Sequence, residues 1–197
     1  MVTIRKAVEA DLDRILELGA QFGHLMFYQK DREIMKKLLP DITVAVAMSD
    51  ASCSMGINGY YHAIEITNVV QYRDYADPYS SFNAKMGMLK YYKCLDQAIL
   101  SEVLASIACD QKVLVIFQGG CHREVFQPLI QNYIDQNYDL ILVYCSKTSG
   151  KAKGYEELGF TFDSEEEYTF WNPHKCGVST YRLGRWTKPT RLYKDED

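Results

Sequence analysis

The amino-acid sequence predicts a single α/β domain, because strand patterns and helix patterns alternate along most of the chain. Two short apolar runs, at 113–117 and 140–145, have the length of buried strands. Between them, residues 122–136 carry apolar side chains at helical spacing. The chain has 197 residues, 47% of them hydrophobic, which is enough for one sizeable core. These observations favour a sheet that includes a strand–helix–strand unit.

The N-terminal part predicts two helices followed by a β-hairpin. Acidic residues in the first turn of the first helix suit the positive end of its dipole. Alternation of large and small residues marks the hairpin strands. The predicted elements are a strand at Val2–Lys6, a helix at 9–22, a helix from Asp31 to before Pro40, and strands at 42–48 and 55–66 joined by a turn at Asp50-Ala51-Ser52.

The segment from 68 to 110 is predicted to be a helical insertion. It begins with polar and aromatic residues typical of a loop, and apolar residues at helical spacing follow from about 81 to 108. One long helix and two shorter ones both fit this pattern. Tyrosines at 60, 61, 72, 75 and 79 cluster around the insertion. They could line a ligand cleft, or they could pack the inserted helices onto the sheet.

The C-terminal part has the clearest pattern. A glycine pair is expected to end the first buried strand. Gly159 is a typical residue for the end of a helix. The predicted elements are a strand at 113–117, a break at Gln118-Gly119-Gly120, a helix at 122–136, a strand at 140–145, a helix at 149–158, and strands at 160–171 and 178–183. The domain is expected to span 1–184, and 185–197 is expected to form a charged tail.

Composition argues against several classes of partner. The net charge is −4 and the isoelectric point is near 5.6, whereas a general binder of nucleic acid or anionic membranes carries a basic surplus. The six cysteines include no C-x-x-C pair and have no histidine pair at finger spacing, so no metal site is predicted. Reduced thiols in a cytoplasmic protein are the simplest interpretation. No apolar run is long enough to span a membrane.

The order of the elements resembles the GNAT (Gcn5-related N-acetyltransferase) fold. Two segments support the resemblance. Ile4-Arg5-Lys6-Ala7, with the acidic amphipathic helix that follows, is similar to the usual GNAT start. Gly154-Tyr155-Glu156-Glu157-Leu158-Gly159-Phe160 is similar to the signature that closes the family's fourth helix. The resemblance implies a mixed, mostly antiparallel central sheet with a splayed pair of parallel strands and flanking helices.

The resemblance also implies an activity. GNAT enzymes bind acetyl-CoA between the splayed strands and transfer the acetyl group to a primary amine by direct attack. By motif position, Tyr155 would be the general acid that protonates the departing thiolate, although an aromatic residue on a short helix can also serve packing alone. Glu65 on the return strand is a candidate base, and its alternative is a solvated strand glutamate.

The residues expected to bind the cofactor follow from the family's phosphate turn. That turn has Gln or Arg, two residues, Gly, one residue, then Gly or Ala. The leading Gln fits here, but Cys121 and Arg123 occupy the two positions for small residues, and Thr148 stands where many members have asparagine. The predicted cofactor-binding residues are Phe117, Gln118, Gly119, Gly120, Cys121, His122, Arg123 and Thr148.

Two other functions compete with amine acetylation. One is modification of DNA bases, as in the GNAT-like Mom proteins of bacteriophages, for which the basic residues Arg182, Arg185, Lys188, Arg191 and Lys194 are the supporting feature. The other is a catalytically inactive GNAT-like binding module, which the departures in the phosphate turn suggest. The acceptor is expected to be a small-molecule or protein amine, and a homodimer is common among members of the family.

Overall fold

The computed structural model describes residues 1–22, 32, 36, 38–48, 55–66, 111–146, 150–172 and 177–189. The strands are β1 (Val2–Lys6), β2 (Ile42–Met48), β3 (Met55–Ile66), β4 (Val113–Cys121), β5 (Leu140–Ser146), β6 (Thr161–Asn172) and β7 (Gly177–Thr187). The helices are α1 (Leu12–Gln21), α2 (Arg123–Ile134) and α3 (Lys151–Glu156), with 3-10 turns at Glu9–Asp11 and Leu39–Asp41.

The strands form one seven-stranded sheet in the order β1-β2-β3-β4-β5-β7-β6. Neighbouring strands in it pair antiparallel except β4 and β5, which are parallel. The helix α2 connects these two parallel strands, because parallel neighbours require a crossover connection, which is usually a helix. The predicted fold class, a mostly antiparallel sheet with one parallel pair, is confirmed.

Helices cover both faces of the sheet. On the face that we call the α2 face, buried residues of α2 and α3 pack on inward-facing residues of β2 to β5. On the opposite α1 face, Leu12, Ile15 and Leu18 of α1 pack with Leu38 and Leu39 against β2 and β3. No helix in the described ranges has both the length and the apolar character needed to cross a membrane.

The predicted strands and helices agree closely with the structure. Three strands, β1, β2 and β3, have the predicted bounds, and Arg32, Lys36 and Leu38 are helical as expected. Gly159 ends α3 with a positive φ of 89°, and Phe160 N–H donates to the Tyr155 carbonyl there. The hairpin turn at 50–52 and the predicted insertion at 68–110 lie outside the described residues.

The predicted break after Phe117 is wrong. Gln118 to Cys121 continue as β4, because β3 is long enough to provide antiparallel partners for them, from Gly59↔Cys121 to His62↔Gln118. The predicted start of the tail at Arg185 is also wrong. Residues 185–187 belong to β7 and pair with Leu140 to Leu142 of β5, and Trp186 is buried against the core.

Candidate functional site

The parallel strands β4 and β5 separate at their carboxyl ends. They pair only from Val113↔Leu140 to Ile116↔Val143. Phe117 is then an extra residue in β4, since Ile116 pairs with Ala63 and Gln118 with His62, and such a bulge bends the strand. Beyond this point β4 pairs with β3 and β5 pairs with β7. The resulting gap between 118–121 and 144–146 is called the slot below.

The two glycines beside the slot are covered by aromatic rings. A Cβ on Gly119 would lie 2.1 Å from the ring of Tyr61, its cross-strand partner, and a Cβ on Gly120 would lie 2.5 Å from the ring of Phe22. Each glycine is therefore required because a ring from a neighbouring element occupies the space of its side chain. The expectation of a phosphate-binding turn from Gln118 to Arg123 does not agree with the strand geometry of residues 118–121.

A single residue, His122, links β4 to α2. Its backbone is extended (φ −67°, ψ 152°), and its N–H donates to the Asn58 carbonyl at 2.9 Å. The first hydrogen bond of α2 runs from Val125 N–H to the His122 carbonyl. The N–H groups of Arg123 and Glu124 therefore have no acceptor within the helix. The Arg123 side chain is exposed. The predicted helix N-terminus at the end of β4 is therefore present, whereas the predicted turn before it is strand.

Tyr155 lies on the α2 face beside the slot. Its side chain is 1% exposed, and its ring meets Phe126 and Phe160 edge-on, with centroids 4.9 and 5.2 Å away. Its hydroxyl donates to the Tyr61 hydroxyl at 3.3 Å. Burial raises the pKa of both phenols well above 10, so both carry their protons at neutral pH.

Two thiols and one ammonium group also belong to this region. Cys121 ends β4, with its Sγ 4.0 Å from the Tyr61 hydroxyl, and Cys145 is buried near the end of β5. The Lys151 Nζ at the start of α3 donates to the Gly119 carbonyl of β4 at 3.3 Å. Burial raises the pKa of Cys145 to about 12, although the Lys151 and Arg182 cations oppose this shift. Cys145 is therefore a thiol and not a thiolate at neutral pH.

Glu65 does not lie with these residues. It pairs with Leu114 at the closed end of the parallel pair, roughly 15 Å along β4 from Gly119 at strand spacing. Its carboxylate accepts from the Tyr138 hydroxyl at 3.0 Å and lies 3.5 Å from Lys112 Nζ. A catalytic role for Glu65 stays a prediction that this position does not favour.

The other predicted residues are only partly brought together. The backbones of Phe117 to Arg123 run from the bulge to the helix start, while Thr148 lies outside the described residues. The sequence alone predicts no role for Lys151 and no contact between Tyr61 and Tyr155. Lys151 lies four residues before Tyr155, one helical turn away, and that spacing was the available signal.

The chain is similar to known proteins in its structure and not in its sequence. No family model matches the sequence, and no curated protein matches it significantly. Arabidopsis thaliana NAA60 in complex with a bisubstrate analogue superposes with a TM-score of 0.60 at 12% identity, covering 96% of this chain and 100% of that one. A probable acetyltransferase from Staphylococcus epidermidis has a TM-score of 0.57 at 14% identity, with coverage of 96% and 100%.

A third similar structure is the Drosophila melanogaster polyamine N-acetyltransferase. Its TM-score is 0.54 at 12% identity, and the match covers 95% of this chain and 100% of that chain. These similarities, together with the sheet order and the diverging parallel strands, define the fold class. The chain has the fold of the GNAT acetyltransferases.

Proposed function

We propose that the protein is an acetyl-CoA-dependent N-acetyltransferase that acetylates a primary amine by direct attack. The observation that carries the proposal is the separation of β4 and β5 after Ile116 and Val143. It leaves the facing edges of these two strands without a strand partner among the described residues, and a strand-like ligand can use their N–H and C=O groups. The similar structures include NAA60 in complex with acetyl-CoA, which supports the choice of donor.

The residues around the slot fit such a donor in part. The open strand edges suit an extended arm that carries amide groups, and the α2 N-terminus suits a phosphate. Residues 118–121, which match the first part of the GNAT phosphate turn, are strand here, however, and rings cover Gly119 and Gly120. Phosphate recognition must therefore depend on the α2 start and on side chains.

Tyr155 is the proposed general acid. The bound donor supplies an acyl group activated as a thioester. The amine nitrogen bonds to the carbonyl carbon and loses a proton to solvent. The carbon–sulfur bond breaks, Tyr155 donates its proton to the departing thiolate, and solvent returns a proton to Tyr155 before the next cycle. Burial raises the pKa of Tyr155 well above 10, so the phenol carries its proton at neutral pH. The Tyr61 hydroxyl can then donate to the phenolate, since a hydroxyl both donates and accepts.

Calorimetric titration with acetyl-CoA, followed by release of the CoA thiol with a panel of amines, tests the proposal. The panel should include a peptide N-terminus, a polyamine and an arylalkylamine. Tyr155→Phe is expected to lower kcat on the order of a hundredfold while the Kd for acetyl-CoA stays within about threefold. Tyr133→Phe removes another buried hydroxyl, one that donates to the Tyr61 carbonyl, and should leave kcat unchanged. A folded protein that binds no acetyl-CoA would contradict the proposal.

An inactive binding module is the second candidate function. It is favoured by the burial of the Tyr155 hydroxyl and by the contact of Lys151 with the edge of β4, both of which restrict the slot. Co-purification of a protein partner, with no thiol release from any amine, is the result that would select it.

The DNA-modifying alternative stays a prediction. Among its basic residues, Arg182 lies over the Phe162 ring and donates to the Phe162 carbonyl at 3.2 Å, so its guanidinium is held within the sheet. Arg191 and Lys194 lie outside the described residues. DNA binding that weakens steeply with salt would support this alternative.

A further inference from the structure

Lys151 extends across the slot. It belongs to α3, which follows β5, yet its Nζ donates to the carbonyl of Gly119 on β4. Burial raises the pKa of the thiols of Cys121 on β4 and Cys145 on β5, and the Lys151 ammonium opposes the shift in both. The ammonium therefore lies near the carboxyl ends of both strands, beyond the point where they diverge.

The contact also occupies an acceptor that a ligand would need. The Gly119 carbonyl that accepts from Lys151 belongs to the stretch of β4 without a β5 partner. Lys151 shares one side of α3 with Tyr155, since the two residues are one helical turn apart. While Lys151 holds the Gly119 carbonyl, its side chain lies beside the proposed acid.

A second observation is the loss of the phosphate turn. Only His122 separates β4 from α2, so this junction of the described chain has no loop that could surround a diphosphate with backbone N–H groups. A ligand with several phosphate charges then needs cationic side chains near the strand ends. The lysine stem is long and flexible, so its ammonium group can reach more than one acceptor. In a hydrogen bond to phosphate both donor and acceptor are charged, whereas in a hydrogen bond to a carbonyl only the lysine is charged.

We propose that Lys151 closes the slot in the free protein by binding the Gly119 carbonyl, and that it leaves this carbonyl to bind a phosphate of the acyl donor. The inference rests on the proposed function and adds the residue that recognises the donor's charge. Release of Lys151 makes the Gly119 carbonyl available as an acceptor on the edge of β4 and opens the side of α3 that carries Tyr155.

The test compares donors with and without phosphate. Calorimetry or competition gives the Kd of acetyl-CoA and of S-acetylpantetheine, which lacks phosphate, for the wild type and for Lys151→Met. The variant should bind acetyl-CoA about tenfold more weakly, the effect of one charge-assisted hydrogen bond. It should bind S-acetylpantetheine as well as the wild type or better, because the closing contact is gone. The dependence of the acetyl-CoA Kd on salt should also become shallower.

Two further variants serve as controls. Lys153→Met removes the same charge from an exposed position of α3 and should leave both dissociation constants within about twofold. Lys151→Arg keeps the charge and should retain most of the affinity for acetyl-CoA. Equal loss of affinity for both donors in Lys151→Met, or no loss for acetyl-CoA, would overturn the inference while leaving the proposed function intact. Failure of the wild type to bind acetyl-CoA would refute the proposed function itself.

Discussion

Substitution of Gly119 by alanine distinguishes a strand from a phosphate turn at this position. The new Cβ would lie 2.1 to 2.5 Å from three atoms of the Tyr61 ring, where ordinary contacts are about 3.4 to 4 Å. The ring cannot move away freely, because Tyr61 is 2% exposed and its hydroxyl is bonded to Tyr155. An exposed turn would accept the same methyl group at little cost in stability.

The expected loss has two parts. Overpacking of a well-packed core costs about 1 to 3 kcal/mol, and displacement of Tyr61 also loses one buried hydrogen bond, worth about 1 kcal/mol. A total of about 3 kcal/mol corresponds to a fall in Tm of roughly 6 to 12 °C for a domain of this size. Chemical denaturation and calorimetry measure both quantities.

Gly56→Ala is the matched control in the same sheet. No atom lies within 4 Å of a Cβ at this position, so the substitution should be neutral or slightly stabilising. If Gly119→Ala were as stable as Gly56→Ala, the contact between Gly119 and the Tyr61 ring would be refuted, and a turn at 118–120 would again be possible.

Three further predictions concern other contacts. Tyr61→Phe and Tyr155→Phe should each lower the unfolding free energy by about 1 to 2 kcal/mol, and the double variant by clearly less than their sum, because they share one hydrogen bond; additive effects in denaturation would contradict this. The pKa of Asp11 is lowered by its hydrogen bond with Arg5, so Asp11 should stabilise the fold fully above the unfolded-state pKa near 4. This contribution should be lost as pH falls through the lower folded-state pKa. Asp11→Asn should therefore reduce the dependence of the unfolding free energy on pH in this acid range. Cys145 should resist alkylation at pH 8 in the native protein and react once it is unfolded, as peptide mass mapping would show; rapid native labelling would mean that it is not buried.

The sequence predicts most of the described fold because its elements depend on local patterns. Alternation gave the bounds of β2 and β3, and apolar runs located the parallel pair. The glycine pair misled because a glycine has the same signature in a turn and in a strand crossed by aromatic rings. The rings of Tyr61 and Phe22 come from distant parts of the chain, so local spacing cannot reveal them.

The site was predictable to a similar extent. Motif position and helical periodicity located Tyr155 and the start of α2, and both lie beside the slot, while their roles in the reaction stay predictions. The contact of Lys151 with Gly119 depends on how far two strands separate, which no local pattern encodes. The charged residues from Arg185 onward suggested a tail, whereas pairing with β5 decides the structure of residues 185–187.

The position of β7 has a consequence for how the molecule is made. Among the described strands β7 is the last in chain order, but it lies between β5 and β6, so it supplies hydrogen-bond partners to both. Until residues 177–187 are available, β5 and β6 each lack a neighbour, and their unpaired edges invite association between nascent chains. A chain shortened before Gly177 would lose the strand that joins β6 to β1–β5, and we expect it to aggregate on expression.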